Sequence, residues 1–316
     1  MNSLFSKLRL TGKIAIITGG ARGIGKNFAK TLAQAGTQSV GLLDWDATGC
    51  HNTCDELQQQ FPDTLFIPYQ VDVSQKESIE KVIDDFANSQ GKRLDIACNN
   101  AAIIYSGIDA SFAAENTSLE QWQNTIQVNL TAMFLCCQAE AKWMIPRRYG
   151  KIINIASMSG HIVNHPQKHV AYHTAKAGVV HLTKTLGAEW AEKGIHVNCI
   201  SPGYMDTWQT AFEQVKPLRE YWIQLTPAKR LGQVEDLEGP FLLNTFPFTI
   251  ATISYFFDLI RTKYIATQYF QNTRVPKLDF ILQATIKLVR NTQTHTTKTH
   301  SQTPVNKISM YNCRSL

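Results

Sequence analysis

Lys13-Ile14-Ala15-Ile16-Ile17-Thr18, followed at once by Gly19-Gly20-Ala21-Arg22-Gly23-Ile24-Gly25, is the stretch that decides the fold of this chain. The first six residues form a short apolar run of strand type, and helical patterning begins at Ile24. Glycines at the junction allow a tight turn and close backbone approach to a ligand. The unpaired N–H groups at a helix start, together with its positive dipole end, suit a pyrophosphate. Strand, glycine-rich turn and helix in that order open a doubly wound α/β sheet of the kind that binds a dinucleotide.

Working outward, the same alternation continues as far as Ile200. Ser39–Leu43, Leu65–Val71, Leu94–Asn99, Lys151–Ala156 and His196–Ile200 are short runs rich in Ile, Val or Leu and bounded by Gly, Asp, Asn or Ser. With Lys13–Thr18 they predict six buried strands. Helical patterning covers Ile24–Ala35, Ala47–Gln60, Ser74–Ser89, Leu119–Met144 and Tyr172–Lys193, with Ser74 and Ser118 as N-cap candidates. Such repeated units imply a parallel sheet with right-handed crossovers and helices on both faces. A ligand then sits beyond the carboxyl ends of the strands, where strand order reverses.

Several polar residues fall at those ends. Asp44 lies about 20 residues beyond the glycine turn, placed to accept bonds from ribose hydroxyls and to repel a 2′-phosphate. Arg22 would attract such a phosphate, so NAD(H) is expected, with NADP(H) as the alternative; Asp46 is a weaker candidate for the ribose. Asp72-Val73 and Asn99-Asn100-Ala101-Ala102 follow the third and fourth strands, and the small alanines would let the backbone run close to a flat ring system.

Tyr172 and Lys176 are one helical turn apart on the same face. A phenol is a poor base near neutrality, and an adjacent ammonium stabilises its phenolate. Alone, such a pair is common on helices and carries little weight. Ser157, at the end of the strand Lys151–Ala156, reaches the same rim and can stabilise charge on a substrate oxygen, with Ser159 the alternative. Asn129 sits in mid-helix, where Asn is disfavoured.

Taken together, Thr18-Gly-x-x-x-Gly23-x-Gly25, Asn99-Asn100-Ala101, Asn129, Ser157, Tyr172-x-x-x-Lys176 and Pro202-Gly203 resemble the short-chain dehydrogenase/reductase family in order and spacing over roughly residues 8–240. The resemblance implies interconversion of a secondary alcohol and a ketone by hydride transfer with a nicotinamide cofactor. Tyr172 would exchange the proton, Lys176 hold the nicotinamide ribose, Ser157 orient the substrate oxygen and Asn129 keep a relay water. Thr18, Gly19, Arg22, Gly23, Ile24, Gly25, Asp44, Asp72, Val73, Asn99, Ala101, Pro202, Gly203 and Thr207 would border the cofactor along with Tyr172 and Lys176. The stretch Ser157–Asn164 with Pro166-Gln167 is similar to fungal reductases of sugars and polyols, the sorbose/xylulose reductase and mannitol or arabinitol dehydrogenase kind. A ketose or polyol is then a candidate substrate, with His161, Asn164 and Gln167 as hydroxyl binders or solvated loop residues. Members of the family are commonly homo-oligomers.

The formal charge of +6 is uneven: residues 1–240 hold 22 Lys/Arg against 23 Asp/Glu, and 241–316 hold 9 against 2. The basic excess belongs to the tail, so no nucleic-acid partner is expected. Seven scattered cysteines and an N-terminus without a long apolar run lead to the expectation of a reduced, cytoplasmic setting. Cys50-His51 with Cys54 lacks a second ligand pair at zinc spacing, so no metal is expected. Phe241–Ile260 is apolar but interrupted by Asn244, Pro247 and Asp258, which favours a buried or interfacial helix over a membrane span. A Rossmann-like domain over 8–243 is thus expected, with an atypical 244–316 extension that lacks the usual last strand and turns basic and disordered from about Asn291. The Cys313-Arg314-Ser315-Leu316 end is a poor prenylation box. The missing strand leaves a rival reading open, a catalytically impaired dinucleotide-binding scaffold or regulator.

Overall fold

The computed structural model describes residues 9–104, 113–207, 210, 216–246 and 254–256. All lie in the first of two compact units, Met1–Thr262. The second unit, with the basic tail and the Cys313–Leu316 end, falls outside the described residues, as do Met1–Leu8.

The chain runs β1 (Ile14–Thr18), α1 (Gly23–Gln34), β2 (Ser39–Asp44), α2 (Ala47–Gln60), β3 (Leu65–Gln70), α3 (Lys76–Ser89), β4 (Ile96–Asn99), α4 (Leu119–Ile126), α5 (Ala132–Met144), β5 (Gly150–Ile155), α6 (Val170–Trp190), β6 (Ile195–Ser201), α7 (Lys216–Leu225), α8 (Glu238–Thr245) and β7 (Ser254–Phe256). All strand pairings are parallel, in the order β3-β2-β1-β4-β5-β6-β7. The order reverses between β1 and β4, which opens the crevice at their carboxyl ends.

Alternation along β1 divides the core in two. Ala15 and Ile17 pack with Phe28, Leu32, Leu57 and Phe241 on one side of the sheet, while Ile14 and Ile16 pack with Ile83, Phe86, Cys137 and Trp190 on the other. Phe28 of α1 and Phe241 of α8 are both fully buried and stack at 4.0 Å with an 11° interplanar angle. Burying each such ring is worth about 1.5–3 kcal/mol, enough to fix α8 against α1.

Four expectations need correction. First, β7 occupies the place predicted to be empty, pairing Cys199 with Ser254, Ile200 with Tyr255 and Ser201 with Phe256. Its three residues are hidden in an apolar stretch with no alternation, where a short strand and a helix look alike. Second, β3 is an edge strand: Leu65 is exposed and Pro68 sits within it, a residue confined to sheet edges because it lacks an N–H. Third, the helix expected over Leu119–Met144 is interrupted by a π-helical turn at Gln127–Thr131. Fourth, α3 begins after Gln75, and Ser74 is not its cap, whereas Ser118 does cap α4 in a reciprocal box with Gln121. The packed chain also continues beyond residue 243, with Asn244, Thr245 and Phe246 buried. Among the described residues, no helix is long and apolar enough to cross a membrane.

Candidate active site

The glycine turn is held from below. Thr18 Oγ1 accepts from Asn100 N at 3.0 Å and Ala101 N at 3.1 Å, and Asn100 Nδ2 donates to the carbonyls of Thr18 and Gly19 at 3.1 and 3.0 Å. Gly19 and Gly23 have φ of +67° and +57°, which disfavour a side chain. At Gly25 a Cβ would lie 2.1 Å from Gly19 O, so the helix start and the turn touch through bare backbone. α1 begins with no side-chain cap bond and no acidic residue in its first turn. Its leading N–H groups therefore face the cradle with no carboxylate competing, which fits a dinucleotide pyrophosphate. Ile24 packs behind the turn against the core.

At the end of β2, Asp44 is 7% exposed and both its oxygens accept backbone N–H groups, Oδ2 from Ala21 at 3.0 Å and Oδ1 from Asp46 at 3.1 Å. A carboxylate offers about four lone-pair sites, so Asp44 can brace the turn and still accept ribose hydroxyls. Arg22 pairs with Asp46 at 3.7 Å, and Asp46 also caps α2 through Gly49 N. Asp72 is exposed, with Oδ1 accepting Ser74 N at 2.8 Å, a turn-forming role. Thr18, Val73, Asn99 and Ala101 share one small cavity with Val128, Ala132, Met133 and Cys136. Pro202 O accepts Met158 N at 3.0 Å, and a Cβ on Gly203 would strike the Met158 sulfur, so this pair is packed against the loop after β5. Thr207 N donates to Thr210 Oγ1 at 3.0 Å.

The residues singled out for proton chemistry converge beside that crevice. Ser157 lies two residues beyond β5 with its hydroxyl near enough to the Tyr172 phenol to favour the phenolate, and Ser157 Oγ accepts Ser159 N at 3.1 Å. Ser159 is turned away, donating to Asn164 Oδ1 at 2.6 Å. Lys176 is 1% exposed; its Nζ donates to Ile155 O at 2.8 Å and lies 5.7 Å from the centre of the Tyr172 ring. Burial lowers the Lys176 ammonium to about 8. Tyr172 goes the other way from the sequence expectation: burial raises its phenol, opposed by the Ser157 bond. Desolvation of the phenolate outweighs an ammonium that is already engaged by a carbonyl.

Asn129 lies within the π-helical turn, fully buried, donating to Ile103 O at 2.9 Å and Thr125 O at 3.0 Å. Its Oδ1 is buried and has no partner among the described residues, a setting suited to an ordered water.

The hydroxyl-binding candidates are committed elsewhere. Asn164 is buried, with its side chain bonded to Ser159, to the Tyr204 hydroxyl at 2.8 Å and to His173 at 3.0 Å. His161 Nε2 meets Ser201 Oγ at 2.9 Å. Gln167 Oε1 is 3.4 Å from the Tyr204 hydroxyl. Tyr204 in turn stacks on Trp222 of α7 at 4.5 Å. Through the Tyr204–Trp222 stack this network ties α7 to the loop after β5. Sequence reading named Asn100 only within the Asn99–Ala102 stretch, and it missed Tyr204 and Trp222, for which no local signal exists.

The family model for short chain dehydrogenases matches residues 13–216. Over 252 residues the chain is 36% identical to a 2-dehydro-3-deoxy-D-gluconate 5-dehydrogenase of Bacillus subtilis, covering 76% of this chain and 89% of that protein. It is 34% identical over 245 residues to a sorbose reductase of Schizosaccharomyces pombe, covering 77% and 91%. Among solved structures, a short-chain type dehydrogenase/reductase from Mycobacterium marinum superposes with a TM-score of 0.73 at 34% identity, over 80% of this chain and 95% of that one.

Proposed function

The chain belongs to the short-chain dehydrogenase family, and on that premise we propose that Tyr172 is the proton donor and acceptor of its reaction, with Ser157, Lys176 and Asn129 assisting. It is an oxidoreductase that interconverts a secondary alcohol and a ketone with a nicotinamide cofactor. The observation that carries the proposal is the convergence of the Tyr172 phenol, the Ser157 hydroxyl and the Lys176 ammonium at the end of β5.

The nicotinamide, when bound, supplies the carbon that gives or takes hydride. The chain's own residues handle the proton. Tyr172 Oη takes the hydroxyl proton of the alcohol in oxidation and returns it in reduction, and Ser157 turns its hydroxyl from the phenol to the substrate oxygen as charge develops there. The raised phenol keeps Tyr172 protonated near neutrality, the state that reduction requires. Lys176, unusually free to lose its proton for a lysine, connects the phenol to the interior, and Asn129 Oδ1 holds a water on that route.

Asp44 with the Asp46-engaged Arg22 supports NAD(H) as the cofactor. The two named relatives, one acting on a sugar acid and one on sorbose by their names, support a polyhydroxylated substrate such as a ketose or polyol. A cofactor-coupled screen of ketoses, polyols and aromatic ketones, read at the nicotinamide absorbance, is the test. Turnover of a ketose or polyol that is lost in Tyr172→Phe is expected; full activity in that variant overturns the assignment.

A further inference from the structure

Glu140 of α5 is fully buried under the β4 end, in a setting that suits a carboxylate badly. No Lys or Arg pairs with it among the described residues. Its Oε2 accepts one bond, from Asn99 Nδ2 at 3.1 Å. Asn99 Nδ2 also reaches Asn154 Oδ1 at 3.1 Å, and Asn154 Nδ2 continues to Thr183 Oγ1 at 3.0 Å, which donates to Val179 O at 2.8 Å. This chain of donors satisfies every member except two oxygens, Glu140 Oε1 and Asn99 Oδ1, both buried and both without a donor among the described residues.

Two unpartnered acceptors on a carboxyl and an amide already joined by one bond lack the same thing, a single proton between them. An ionised Glu140 would leave both oxygens unsatisfied and a charge unpaired in an apolar layer, a cost well beyond that of a missing neutral bond. A neutral carboxyl has one donor to give. We propose that Glu140 is held as a neutral acid that donates to Asn99 Oδ1, and that this pair positions the carboxyl end of β4, from which the glycine turn is held. Glu140 is a positioning residue, acting through Asn99, which lines a small void beside Thr18, Val73 and Ala101. The next residue, Asn100, clamps the glycine turn.

The surroundings agree. From β4 and α5 the titratable groups facing Glu140 are the thiols of Cys98, Cys136 and Cys137, all pushed up by burial and so uncharged. β5 and α6 present the neutral Asn154 and Thr183. α3 packs its apolar Ile79, Val82, Ile83 and Phe86 on this layer, and its Asp84 bonds Lys142 and Trp143 on the part-exposed side. Burial raises Glu140 to about 8, opposed only by the Asn99 bond.

The inference rests on the dinucleotide reading, and the experiment separates the two. Infrared difference spectra between the full wild-type chain and Glu140→Gln should show a protonated-carboxyl band at pH 7 that fades as pH rises through about 8. NADH affinity, read by fluorescence, should fall about tenfold one pH unit above that point, because only about a tenth of the chain keeps the proton. Glu140→Gln carries an N–H where the acid carries its proton and should lack this fall, keeping only the pH dependence that Lys176 gives both chains. Lys176 titrates in both chains, so its effect cancels. Absence of the band overturns the proposal, and so does a wild-type binding profile parallel to that of Glu140→Gln. Failure of NADH to bind at any pH refutes the dinucleotide reading instead, and the band still decides the state of Glu140.

Discussion

At the scale of single residues, burial works on neighbouring groups in opposite senses. It raises the Tyr172 phenol and lowers the Lys176 ammonium, because each loses most when charged. Tyr172→Phe should cut kcat by about 10²- to 10⁴-fold, the usual worth of a positioned proton donor, while NADH affinity measured by fluorescence stays within about threefold. Asp46→Asn keeps an N-cap type on α2 but removes the charge that engages Arg22. With that ion pair gone, the Arg22 side of the turn should favour NADPH relative to NADH by about 2- to 5-fold, in keeping with an exposed ion pair. Glu140 also carries a stability signature. The folded chain keeps a proton that the unfolded chain releases, so its stabilisation is complete below the ordinary carboxylate range and is lost as pH rises through about 8. Urea midpoints of Glu140→Gln should lack that decline between about pH 5 and pH 8, when set against the wild-type curve.

At the scale of elements, the turn between β1 and α1 was legible because its chemistry is local. Glycines, strand and helix start are consecutive, and the φ values of Gly19 and Gly23 confirm the need for residues without a side chain. Gly25→Ala places a methyl against Gly19 O and should destabilise the fold by about 1–3 kcal/mol through overpacking, with loss of NADH binding as the more sensitive readout. The capping box at Ser118 and Gln121 was equally local. The π-helical turn was not, since the side chain that occupies it, Asn129, is anchored on Ile103, which is distant in sequence. Phe241→Ala should cost about 3–5 kcal/mol, because its partner Phe28 sits on a helix more than two hundred residues earlier and cannot follow it.

For the whole molecule, parallel pairing decides which parts of the chain meet. The carboxyl end of β6, Cys199–Ser201, pairs with Ser254–Phe256, which shortens the open edge that had favoured a scaffold over an enzyme. A chain ending after Phe246 should expose that edge and self-associate, seen as a rise in scattered light at concentrations where the full chain stays dispersed.

What the amino-acid sequence determined alone was the β-α rhythm and the glycine turn, and it singled out Ser157, Tyr172 and Lys176 as candidates, because each depends on residues close together or on one helix face. Only the tertiary structure decided that Asn164, His161 and Gln167 brace a loop, that Asp46 engages Arg22, and that Glu140 lies beneath Asn99. The physical reason is the same in each case: a buried polar group is defined by its partner, and the sheet brings that partner from a distant part of the chain.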